Sequence, residues 1–89
     1  MYQLKLTSQA QRQLDKLLAE DLEKIVAALQ QLRDNPRPSG TKKLRGPIYR
    51  IRVGDWRIVY AVFEKDNLII VGKIARRSKD TYKRMKSLF

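Results

Sequence analysis

The seven residues Asp34-Asn35-Pro36-Arg37-Pro38-Ser39-Gly40 constrain this chain more than any other feature, because the hydrophobic periodicity changes across them. Two prolines, a glycine and three turn-favouring residues stop a helix and cannot continue one. Before them, Ala10, Leu14, Leu17, Leu18, Leu22, Ile25, Val26, Leu29 and Leu32 recur mostly at spacings of three and four, the period of a helix. After them, apolar residues alternate with polar ones or run in short β-branched and aromatic blocks, as strands do. With 89 residues in all, the segment is a loop inside one domain spanning residues 1–89, and the fold class is α+β.

The elements follow from local signals. Tyr2-Gln3-Leu4-Lys5-Leu6 alternates and predicts a short strand, which Thr7 or Ser8 stops. Ser8 with Gln11 has the form of a capping box, and Glu20-Asp21 suits the positive start of a second helix. The spacing therefore predicts an antiparallel helical hairpin bent near Ala19 to Asp21, with a single long helix as the alternative. Beyond the loop, Ile48 to Val53 and Trp56 to Phe63 predict a hairpin turning at Gly54-Asp55. Leu68 to Ala75 predicts a further strand, and Ser78 opens a closing helix through Tyr82 and Met85 to about Leu88. The expected order is β-α-α-β-β-β-α, a mainly antiparallel sheet packed on an N-terminal helical hairpin, with a C-terminal helix. Lys42-Lys43-Leu44-Arg45 falls in the loop before the first hairpin strand.

Charge is divided at the same boundary. Residues 1–36 hold five bases and five acids, whereas residues 37–89 hold fifteen bases and four acids, which is the whole of the net +11. Solubility asks for a net charge of only about 2 to 8 and no segregation, so a basic surface for a polyanion is the expectation. The chain has no Cys and no His, which removes disulfides, thiol nucleophiles, Cys/His zinc sites and histidine acid–base chemistry. No metal and no cofactor is expected. No apolar run reaches the length of a membrane span or a signal-peptide core, so no membrane partner is expected and the cytoplasm is the expected compartment.

Alternation places Arg50 and Arg52 on one face of their strand, with Tyr49, Ile51 and Val53 on the other, facing the helices. In the next strand Trp56, Ile58, Tyr60 and Val62 form an apolar row, and Arg57 shares the opposite row with Val59, Ala61 and Phe63. If the rows of Arg50, Arg52, Arg57 and Arg76 share a face, their guanidinium groups converge on the side away from the helices, where Tyr82 could lean over them. Guanidinium forks match phosphate oxygens, and like charges held together call for an anion. Each arginine alone is also an ordinary wet position on a one-sided sheet. Lys42, Lys43, Arg45, Arg77 and Lys83 extend the candidate RNA-binding surface. Trp56, Tyr49 and Tyr60 read as core, and Tyr82 serves equally as helix anchor or as chemistry.

Without histidine, paired carboxylates or a Walker loop, the chemistry left is phosphoryl transfer driven by positive charge. RNA carries its own nucleophile, the 2′-OH, and attacks the adjacent phosphate when held in line. Arginines stabilise the charge that accumulates on phosphorus, and a tyrosine among cations loses its proton more readily than the usual value of ~10 allows, so Tyr82 is a candidate general base.

The segments Lys43-Leu44-Arg45-Gly46, Tyr49-Arg50-Ile51-Arg52-Val53-Gly54-Asp55-Trp56-Arg57-Ile58-Val59-Tyr60, Ile74-Ala75-Arg76-Arg77 and Tyr82 together resemble the core of the RelE/ParE toxin superfamily, over nearly the whole chain. The resemblance implies a RelE-type toxin that enters the ribosomal A site, cleaves mRNA there and is neutralised by a cognate RelB-like antitoxin. It implies that Arg57 contacts the phosphate, that Arg76 serves the transition state or leaving group, and that Tyr82 lies near the nucleophile. Arg50 and Arg52 stand where the RelE pattern has lysines. Arginine essentially cannot give up its proton, so a lysine base is unavailable at those two positions and the role shifts toward Tyr82 or toward electrostatics. The implied activity is a metal-independent endoribonuclease yielding a 2′,3′-cyclic phosphate and a 5′-OH. A ParE-like toxin that binds DNA gyrase, and a plain RNA-binding module, are the alternatives.

Overall fold

A computed structural model describes residues 1–76, so the expected closing helix, and with it Arg77, Tyr82 and Lys83, lies outside the described residues. Within them the order is β1 (Gln3–Leu6), α1 (Ser8–Asp15), α2 (Ala19–Asp34), β2 (Thr41–Arg45), β3 (Ile48–Val53), β4 (Trp56–Phe63) and β5 (Leu68–Arg76), with a 3₁₀ turn at Glu64–Asp66. No helix among these residues is long and apolar enough to cross a membrane.

The helical part is two helices. The break lies between Asp15 and Ala19, a few residues before the expected bend, and Glu20 and Asp21 occupy the first turn of α2. Each acid there contributes about 0.3–1 kcal/mol against the helix dipole. The first helix is capped by Thr7, not Ser8. The Thr7 hydroxyl accepts from Ala10 N–H and donates to the Gly72 carbonyl, both at 3.2 Å, so one side chain caps α1 and ties it to β5. Leu18 precedes α2 in extended backbone and is 77% exposed. Its position in the apolar spacing carries no inward direction, because it lies outside the helix that would turn it inward. Ile25, Leu29 and Leu32 line the buried stripe of α2.

The sheet has five strands in the order β1-β5-β4-β3-β2, with β1 and β5 parallel and the other pairs antiparallel. The fifth strand is a correction to the expected order. Thr41–Arg45 pairs with β3 and is not loop. It lies at an edge, where a strand needs backbone partners on one side only and can be polar and lysine-rich throughout. The hairpin at Gly54-Asp55 forms as expected. Gly54 has φ +60°, at the first position of the two-residue loop, where a primed turn matching the strand twist demands positive φ.

The helices cover one face of the sheet. Ala10, Ile25, Leu29 and Leu32 meet Ile51, Ile58, Tyr60, Val62, Ile69, Val71 and Ile74, with Tyr49, Val53 and Trp56 packed at the margin. The β3 and β4 residues among them are the apolar rows that alternation set apart. Tyr60 is fully buried, and its hydroxyl donates to the Pro36 carbonyl at 2.6 Å, pinning the proline loop to the centre of the sheet. Burial pushes the Tyr60 hydroxyl upward more than the nearby Thr41 hydroxyl and Arg37 cation pull it down.

Candidate nucleic-acid interface

The five strands contain nine Lys and Arg and no Asp or Glu. Register decides where these cations point, because residues directly paired across strands project from the same face. Arg52 pairs with Arg57, and Arg50 pairs with Val59 of the Arg57 row, so Arg50, Arg52 and Arg57 share the face away from the helices. Lys42 pairs with Arg50 and joins them. An irregularity between Lys43 and Arg45 makes Leu44 an extra residue, so Lys43 pairs with Tyr49 on the helix side while Arg45 pairs with Ile48 on the arginine side. Of the predicted loop cations, Lys42 and Arg45 therefore belong to the arginine face, whereas Lys43 does not.

Arg76 departs from expectation too. It pairs with Trp56, and its guanidinium lies 5.4 Å from the centre of the indole ring, on the helix side of the sheet. The residue paired with Arg57 is Ala75. A single residue causes the offset. The β4–β5 register shifts between Val59 and Tyr60, where Val59 pairs with Lys73 and Tyr60 with Val71, leaving Gly72 as the extra residue. Ile69 and Val71 face the core before the bulge, and Ile74 and Arg76 face that side after it.

The same bulge brings in a residue that alternation missed. Lys73 pairs with Val59 and so projects from the arginine face, in one row with Lys42 and Arg50. Counting Gly72 as an ordinary strand residue puts Lys73 in phase with Ile69 and Val71, toward the core. The glycine was the available signal, since an isolated Gly inside a strand marks a bulge. With Lys5, whose partner Ile70 lies in the row of Ala61, seven of the nine strand cations occupy one face.

Burial grades this face. Lys42, Arg45 and Arg52 are exposed and Lys73 is partly buried, whereas Arg50 and Arg57 are 6% and 2% exposed. A polyanion approaching this face would meet the exposed cations first. The buried ones act where the effective dielectric is low and a given charge exerts a stronger field. Arg37, in the proline loop, belongs elsewhere: it pairs with Glu64 and stacks 5.5 Å from the centre of the Tyr49 ring, and the Glu64 carboxylate holds its pKa above the usual value.

Residues 4–81 match the family described as the ParE toxin of type II toxin-antitoxin systems, parDE. The chain belongs to the ParE toxin family. Within the wider RelE/ParE superfamily, this ParE-family toxin is similar to RelE proteins. It is 35% identical over 71 residues to RelE1 of Methanocaldococcus jannaschii, which carries the name of a toxin, across 74% of this chain and 79% of that one. The crystal structure of the archaeal RelE-RelB complex from Pyrococcus horikoshii OT3 contains a chain with a TM-score of 0.81 and 28% identity, covering 88% of this chain and 97% of that one. The intact E. coli RelBE toxin-antitoxin complex shares the fold at a TM-score of 0.77 and 24% identity, over 89% and 100% of the two chains. The α+β architecture expected from the periodicities is the architecture of these RelE chains.

Proposed function

We propose that this ParE-family toxin is a ribosome-dependent endoribonuclease that cleaves mRNA in the A site, and that a cognate antitoxin neutralises it. The observation that carries the reading is the acid-free sheet face on which Arg52 stands directly opposite Arg57 with Arg50 beside them. Lys42, Arg45 and Arg52 take the RNA backbone. Arg50 and Arg57 stabilise the charge that builds on the phosphate as its own 2′-OH attacks, yielding a 2′,3′-cyclic phosphate and a 5′-OH. Arg76, against Trp56 on the other side of the sheet, keeps its transition-state role in the proposal on the family resemblance alone. Tyr82, Arg77 and Lys83 remain in the proposal on the strength of the family resemblance.

The antitoxin reading rests on the assemblies in which the similar RelE chains were solved. Electrostatics gives it a shape: a basic toxin suits an acidic or amphipathic segment that folds on binding. A groove of about 490 Å³ between α2 and β3, floored by Ala27, Ala28, Ile51 and Val53 and rimmed by Lys24 and Arg52, suits such a segment.

Purified toxin added to a ribosome programmed with an open A site, followed by mapping of mRNA ends, tests the nuclease reading. Cleavage within the A-site codon is expected. Its loss by about 100-fold or more in Arg57→Ala, and a comparable loss in Tyr82→Phe, checks the roles. The match to the ParE toxin family keeps open a second reading that the resemblance also implies, a ParE-like toxin that binds DNA gyrase. Intact mRNA together with gyrase inhibition selects it. Growth arrest relieved by co-expressing the neighbouring reading frame supports the antitoxin, and arrest that persists counts against it.

A further inference from the structure

The bulge at Gly72 depends on groups outside the sheet. A regular strand turns successive carbonyls to opposite edges, so a neighbouring strand takes every second one. At the bulge this alternation breaks: the Val71 and Gly72 carbonyls both accept from Thr7, so both point to the β1 side of β5. The β1–β5 pairing ends at Leu6 and Val71, so β1 does not reach the residues that follow.

The first helix takes over where β1 stops. Thr7, its N-cap, donates its main-chain N–H to the Val71 carbonyl at 2.9 Å and its hydroxyl to the Gly72 carbonyl at 3.2 Å. Gln13, half-buried on the same helix, accepts the Ile74 N–H at 2.7 Å through Oε1. Three main-chain groups on either side of Lys73 are thus held by two residues of the α1 region. Gly72 and Ile74 are themselves buried, where a main-chain group needs a partner from the protein.

The tethered segment carries close neighbours of the arginines. Ala75 pairs with Arg57, and Lys73 pairs with Val59 in the row of Arg50. Without the extra residue every side chain after Gly72 changes face, so that Lys73 and Ala75 turn to the core and Ile74 turns to the arginine side. The bonds to Thr7 and Gln13 select the bulged arrangement over that alternative.

Deepening the nuclease reading and resting on it, we propose that Gln13, together with Thr7, is a positioning residue for the arginine face, holding the end of β5 in the register that sets Ala75 beside Arg57. Gln13 touches no substrate. It acts through β5 on Arg57, and a displacement of about 1 Å at a reacting centre costs on the order of 100-fold in rate. Ground-state RNA binding draws instead on the exposed Lys42, Arg45 and Arg52, which stand on β2 and β3, beyond β4 from the tether. Loss of the Gln13 bond should therefore slow cleavage more than it weakens binding.

Single-turnover cleavage on programmed ribosomes tests this with wild type, Gln13→Met, Gln13→Asn and Gln13→Glu. Met keeps the reach but offers only a weak sulfur acceptor, Asn keeps the amide one carbon short, and Glu keeps an oxygen acceptor at full reach. Thermal unfolding shows which variants fold, and amide exchange followed by NMR reports Ile74 directly. Gln13→Met and Gln13→Asn are expected to cut at least about 10-fold more slowly, with Ile74 exchanging at least about 10-fold faster and RNA affinity in filter binding within about twofold of wild type. Gln13→Glu is expected to cut at close to the wild-type rate. Either deficient variant suffices if the other does not fold, and failure of both to fold overturns the proposal in favour of a purely structural role. Wild-type cutting by a deficient variant, equal slowing in Gln13→Glu, or a loss of affinity as large as the loss of rate also overturns it, while leaving the nuclease reading intact. Wild-type protein that leaves mRNA uncut overturns both.

Discussion

At the residue scale, the side chain with the sharpest structural consequence is Tyr60. Its hydroxyl ties the centre of β4 to the proline loop by a buried 2.6 Å bond to the Pro36 carbonyl. Tyr60→Phe should lower the unfolding free energy by about 1 kcal/mol, since it removes the donor and leaves a buried carbonyl behind. The folded-state pKa of Tyr60 is raised by burial, so its contribution is complete below the unfolded value of ~10 and is lost as pH climbs from there toward the folded value. Denaturant titrations at pH 8 and above 10 should therefore show a steeper alkaline loss in wild type than in Tyr60→Phe. The two core-facing tyrosines were legible in the alternating pattern. The hydrogen bond was not, because its acceptor is a main-chain carbonyl 24 residues away that no periodicity marks.

At the element scale, α1 is held by its cap. Thr7 serves both as N-cap and as hydroxyl donor to Gly72, and Gln13 on the same helix accepts the Ile74 N–H at 2.7 Å. Helix and bulged strand are thus stitched together where Lys73 emerges. Thr7→Ala should cost about 1–2 kcal/mol in thermal or chemical unfolding. Leu29→Ala, which opens space in the α2 stripe, should cost about 2–4 kcal/mol. Local chemistry announced most of these elements: β3, β4 and β5, the helix stop at the prolines and the acidic start of α2 all stand near where their sequence signals lie. Thr41–Arg45 carries no strand signal in its sequence because an edge strand is stabilised by backbone pairing with β3, and backbone bonds leave no trace in side-chain hydropathy.

At the scale of the whole molecule, seven cations on one sheet face should bind RNA chiefly by releasing counterions. Affinity should fall linearly in log–log plots against salt, and Arg52→Ala should reduce the slope by about 1 while weakening binding to all RNA sequences alike. Filter binding from 50 to 200 mM salt measures both, and a flat salt response would remove the phosphate-backbone role from this face. The α+β class, the division into a neutral helical part and a basic sheet part, and the arginine face of β3 and β4 are legible in the amino-acid order alone. Those properties follow from periods of 3.6 and 2 and from charge counts, which are local. Which cations join the face is set by the assembled sheet, because facing depends on register, and one extra residue reverses it. Leu44 separates Lys43 from Arg45 in this way, and Gly72 sends Arg76 to Trp56 while delivering Lys73 to the arginines. A glycine such as Gly72 marks where a bulge can form, but the competing pairings across the whole sheet decide whether it does.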